Sequence, residues 1–139
     1  MPDAGAGAGS TGDAGAITKS SPRSVSDTVA RLLELLDAKG LKLFAVIDQR
    51  AEAQAVGLDM PETTLVVFGN PKAGTPVMVA APLAALDLPL KLLVWADHDG
   101  AARISYVDPA VLAARYGLGP EQAAAFAPIN ALSDALVAP

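Results

Sequence analysis

Two short apolar runs, LKLLVWA at Leu90–Ala96 and ARISYV at Ala102–Val107, flank Asp97-His98-Asp99-Gly100, and no other feature constrains the fold as tightly. An Asp-Gly turn reverses the chain within a few residues, so the two runs must lie side by side and antiparallel. Upstream, TTLVVF at residues 63–68 is short and β-branched, a strand of the same kind. LKLFAVI at residues 41–47 is another. Leu41, Leu43, Ala45 and Ile47 share one face of it and Phe44 and Val46 the other, which predicts burial on both sides at its far end. A first strand over residues 17–20 completes the set.

Helical periodicity fills the intervals. Val29, Leu32, Leu33 and Leu36 form one apolar stripe in a helix over residues 25–39, with Ser24 or Ser26 as its cap and Gly40 at its end. Residues 48–56 read as a short helix closed by Gly57. Asn70 and Pro71 suit the cap and first position of a helical piece over residues 72–80, and Pro82 restarts another that ends near Asp87. Asp108-Pro109 opens a helix through Tyr116 that Gly117 stops. A last helix begins near Pro120 and should kink or break at Pro128, with Ile129, Leu132 and Leu136 as its buried stripe. The order is β-α-β-α-β-α-β-β-α-α, which predicts an α+β domain with a single mixed or mainly antiparallel sheet and helices packed on a face. Residues 1–14 (MPDAGAGAGSTGDA) hold too little apolar area to offset the entropy of ordering and are expected to form a disordered tail before a domain over residues 15–139.

Composition narrows the chemistry. The chain has no cysteine, so disulfides, thiolate metal sites and cysteine nucleophiles are excluded, and His98 is its one histidine, which excludes a Ser-His-Asp triad away from that turn. A net charge of −5 makes nucleic acid and anionic membrane poor partners. The most apolar stretch, residues 77–96, is interrupted by Pro82, Asp87, Pro89 and Lys91 and is no membrane span. No basic segment leads an apolar run near the start, so the expected compartment is the cytoplasm.

FGNPKAGTP at residues 68–76, LDLPLKLLVW at residues 86–95 and SYVDP at residues 105–109, with FAVID at residues 44–48, resemble the DUF302 family of bacterial and archaeal domains of unknown function; the resemblance spans about residues 17–118. It implies a compact α+β domain related to the single-copy TATA-binding-protein-like architecture, commonly dimeric, and no established activity. In that pattern a histidine often stands where this chain has Gln49, and another where it has Tyr116.

The candidate binding residues are Gly69, Asn70, Lys72, Gly74 and Thr75. Backbone N–H groups at a helix start, a lysine and a hydroxyl are the ingredients of an anion pocket. Corner geometry selects the same residue types for its own reasons. Asp97, His98 and Asp99 are a weaker candidate for a divalent ion, since a calcium loop needs further ligands downstream. A solvated turn explains them as well. Met60, Met78, Trp95 and Phe68 could line an apolar pocket or simply fill the core, and Ser105, Tyr106 and Asp108 could cluster at a strand end. No acid–base pair stands out. The favoured expectation is therefore a non-enzymatic homodimeric domain that binds a small molecule or partner without a cofactor. The alternative is a small enzyme acting on an anionic substrate through carboxylates and Lys72.

Overall fold

The computed structural model describes residues 10, 11 and 13–139, so most of the expected tail over residues 1–14 lies outside the described residues. The strands are β1 (Ser10–Thr11), β2 (Ala16–Ser20), β3 (Lys42–Asp48), β4 (Thr63–Gly69), β5 (Leu90–Ala96) and β6 (Ala102–Val107). They form one sheet in the order β1-β2-β6-β5-β4-β3, antiparallel throughout. The helices are α1 (Val25–Ala38), α2 (Gln49–Ala55), α3 (Pro71–Ala80), α4 (Pro109–Arg115), α5 (Pro120–Ala123) and α6 (Pro128–Val137), with a 3-10 piece at Pro82–Leu86. The expected order of elements holds, and Pro128 breaks the last helical region into α5 and α6.

Because β3 lies at one edge of the sheet and β2 one strand in from the other, α1 must cross it to join them, and it packs on β3, β4, β5 and β6 and against α6. Ser24 accepts a hydrogen bond from the Asp27 amide at 3.0 Å and caps the helix, worth about 1 kcal/mol. Gly40 ends it at φ +67°, a left-handed conformation that any side chain would strain. The stripe turns inward as its period requires: Leu32 and Leu36 are fully buried with Val66, Phe68, Leu92, Val94 and Ile104 of the sheet. Ile129, Leu132 and Leu136 bring α6 into the same core. The last carbonyls of α6 lack helical partners, and arginines from α1 and the loop before it meet them. Arg23 donates to the Leu136 and Ala138 carbonyls at 3.0 and 2.9 Å, and Arg31 donates to Ala135 at 3.0 Å.

Lys19 in β2 is buried under α6. Its ammonium donates to Ser133 Oγ at 2.6 Å and Asp134 Oδ1 at 2.7 Å, and lies 5.4 Å from the Tyr106 ring centre. Burial alone would lower its pKa, but the bonds to Asp134 and Tyr106 outweigh that and leave it raised.

The expected two-sided burial of β3 is not what forms. Leu43, Phe44 and Val46 are 43%, 45% and 44% exposed. β3 is the outermost strand, with a register shift between Leu43 and Ala45, and α2 beside it buries no residue. An outermost strand has one neighbour to bury against, whatever its alternation.

Candidate functional site

The corner expected to bind is built as a helix start. Asn70 Oδ1 accepts from the Lys72 amide at 3.0 Å, Pro71 takes the first position, and Gly74 packs near Leu88. Gly69, Asn70, Gly74 and Thr75 do line a cavity of about 310 Å³, together with Phe44, Met78, Leu88 and Pro89. The cavity is mostly apolar. Lys72 is exposed and is not among its lining residues.

The turn at Asp97 is committed to its own geometry. Asp97 Oδ1 accepts from the amides of Asp99 and Ala101 at 2.9 and 3.0 Å, and Oδ2 accepts from Arg103 Nε at 2.8 Å. Gly100 supplies the left-handed residue at φ +82°. The Arg103 bond, then those amides, holds the Asp97 carboxyl below its usual range. Among the described residues no group of three acidic or imidazole side chains could hold a metal ion.

The other residues singled out disperse. Phe68 is in the core, Met78 lines the corner cavity, and Trp95 donates from Nε1 to Ser105 Oγ at 2.9 Å. Ser105 and Tyr106 point to opposite faces of β6. Asp108 caps α4 by accepting from the Ala110 amide at 2.9 Å.

A larger cavity, about 400 Å³, opens where the hairpin strands part. β5 and β6 pair from Leu93–Ser105 up to Ala96–Ala102 and no further. Below that, Leu90 and Lys91 stay with Phe68 and Val67 of β4, while Tyr106 and Val107 follow Ile17 and Ala16 of β2. The sheet is forked there. Leu65, Lys91, Leu93 and Val107 line the cavity from one face, and Leu112, Phe126 and Ile129 reach it from α4 and the α5–α6 region. Its size falls within the range of small-molecule sites, roughly 300–1,000 Å³.

Asp87 sits at this fork, its side chain 13% exposed. It accepts from the Tyr116 hydroxyl and from Arg115 Nη1 at 2.9 Å, both on Oδ2, and Lys91 Nζ stands 3.7 Å from Oδ1. Burial on its own would raise the Asp87 carboxyl, but the bonds from Tyr116 and Arg115 and the Lys91 charge bring it below its usual range. The same carboxylate raises the Tyr116 hydroxyl. Asp87 was legible only as the end of a helical piece. Its partners lie 28 and 29 residues on, and the one local signal was Lys91 four residues away.

The DUF302 family, a domain of unknown function, matches residues 17–136. The crystal structure of an uncharacterized DUF302 protein from Bacillus stearothermophilus has the same fold, with a TM-score of 0.74 at 22% identity over 89% of this chain and 96% of that one. Three proteins named as fluoride-specific ion channels, from Brucella suis, Brucella abortus and Brucella melitensis, are 38% identical over 107 residues. That is 77% of this chain but 42% of the first channel protein and 40% of the other two, so the chain spans about two fifths of their length. Among the described residues here, no helix is long and apolar enough to cross a membrane.

Proposed function

This chain belongs to the DUF302 family, and from that premise we propose that it is a small-molecule-binding domain whose site is the fork between β5 and β6. The observation that carries the reading is the 400 Å³ cavity itself, apolar along most of its lining, with a charged carboxylate cluster at its edge. Binding sites are commonly concave and apolar with a few placed polar groups.

Catalysis has less support. A general acid or base works best with a pKa near the working pH, and here Asp87 is moved down and Tyr116 up. The alternative enzyme built on Lys72 would need that side chain at a cavity, and it lines neither one. A native mass spectrum of gently purified protein tests the binding reading. A bound mass of pocket size that disappears in Leu93→Trp supports it; the same bound mass in that variant refutes the fork as the site.

The same reading has the protein act as a homodimer in the cytoplasm. Supporting the dimer are the exposed apolar side chains of β3 and a composition only 18% charged. Light scattering coupled to gel filtration gives the answer directly: twice the chain mass agrees, and the chain mass alone refutes it.

The channel matches favour one further reading, that this chain works beside a fluoride channel, because the longer proteins it matches over 107 residues are named as such channels. Cells lacking the domain should then lose fluoride tolerance. Unchanged growth across a fluoride series would end that reading.

A further inference from the structure

The fork cavity also says what kind of molecule it takes, and this step rests on the binding reading above. Its polar lining groups can be taken in turn. Ser105 Oγ already accepts from Trp95 and is bonded to Thr18 Oγ1 at 2.8 Å. The Tyr106 hydroxyl donates to Asn130 Oδ1 at 3.2 Å and accepts from Ser133 at 3.0 Å. Asp87 is engaged by Tyr116 and Arg115 on Oδ2. Lys91 differs from all three. Its ammonium is 3.7 Å from Asp87 Oδ1, beyond hydrogen-bond length, and no other hydrogen bond reaches it among the described residues. Its side chain is 40% exposed, so those donors can turn toward an incoming group.

Charge points the same way. Lys91 and Arg115 together bring two positive charges to the one negative charge of Asp87, and no second acid lines the cavity. Arg115 lies outside the cavity lining and holds Asp87 from behind, so among the described residues Lys91 is the one cation on the cavity wall. The remaining lining is aliphatic apart from the rings of Phe126 and Tyr106, and the cavity lies where the β5–β6 ladder ends. Such a lining suits an aliphatic chain better than a flat ring system, which would need faces to stack on.

We propose that the fork binds an aliphatic monocarboxylate, its carboxylate on the Lys91 ammonium and its alkyl tail against Leu65, Leu93 and Val107 where β5 and β6 part. Lys91 and Leu93 lie on the face of the sheet away from α1, while Phe126 is fully buried and Ile129 nearly so, so the tail rests on the side chains of that open face and the buried pair forms the floor beneath it.

Titration calorimetry with decanoate and, at equal chain length, decanol tests the proposal on the wild type and on Lys91→Gln. Lys91 is a half-exposed strand residue, so the variant should fold, with an unchanged circular dichroism spectrum as the check. Decanoate is expected to bind the wild type at least about ten-fold tighter than decanol, as a charge-assisted bond to the ammonium implies. Lys91→Gln should bring the two to similar affinity. If the wild type binds both equally and Leu93→Trp abolishes both, the cavity is a ligand site but the anion preference is wrong. Failure of the wild type to bind either probe overturns this inference, while the binding reading stands or falls on the native mass spectrum of the wild type and Leu93→Trp.

Discussion

The two ends of the β5–β6 hairpin are made of similar residues and do opposite things. At the turn, Asp97 takes two amides and a guanidinium, Trp95 reaches Ser105, and the ladder is continuous from Leu93 to Ala96. Every polar group named there has a partner within the hairpin. At the far end the ladder stops, the strands follow different neighbours, and side chains from β2, β4, the Asp87 segment, α4 and the α5–α6 region line the gap. The end that looked like chemistry in the sequence, with two aspartates and a histidine, is the one whose aspartate is spent on structure. The end that read only as apolar strand is where space meets an ammonium held by charge alone, 3.7 Å from Asp87. Polar residues close together in sequence satisfy one another; a site needs groups left over after folding.

The comparison can be broken most severely at Phe126, which is fully buried and lines the fork from the helix side. Phe126→Ala should cost about 3–5 kcal/mol in urea unfolding. A cost below about 1 kcal/mol would mean that the forked end is not wedged by the core as described. Next comes Leu93→Trp, which adds bulk where the ladder ends. It should lower decanoate affinity by about ten-fold or more, equivalent to about 1.4 kcal/mol, while the melting temperature stays close to that of the wild type. Tight binding to the filled variant would place the ligand elsewhere.

Acid sharpens the contrast further, because each end carries a lowered carboxyl. A carboxyl whose folded pKa lies below its unfolded one binds fewer protons when folded. Its contribution is complete above the ordinary value of 3.8 and is lost as the pH falls through the lowered folded value. Urea midpoints measured from pH 7 down to pH 2 should therefore show Asp87→Asn and Asp97→Asn closing their gap to the wild type below about pH 4. Gaps that stay constant with pH would show that the two carboxylates are not held this way. The smallest effect is expected at Lys72→Ala, which should alter neither the melting temperature nor decanoate affinity. A clear loss of affinity there would return the site to the Asn70 corner.

Much of the fold was legible because its signals are local. The α1 stripe, its Ser24 cap, the Gly40 stop, the Asp97 turn and the break at Pro128 each depend on residues within a few positions of one another. What could not be read depends on where strands sit in the sheet. The alternation of β3 would suit a central strand, but only its place at the edge leaves Phe44 and Val46 exposed. Nothing near Lys19 in sequence signals its burial, because Ser133 and Asp134 of α6 come over it from more than a hundred residues away. The fork is of the same kind: it exists because β5 and β6 keep different partners below Leu93, and no residue in either strand encodes that by itself.

The amide NMR spectrum of the isotope-labelled protein, titrated with decanoate, tests the central claim most directly. The account predicts shifts concentrated at Leu90, Lys91, Leu93, Tyr106, Val107 and Phe126, with Asp97–Gly100 and the Asn70–Thr75 corner unmoved. Shifts centred on that corner or on the turn, or none at saturating decanoate, would contradict it.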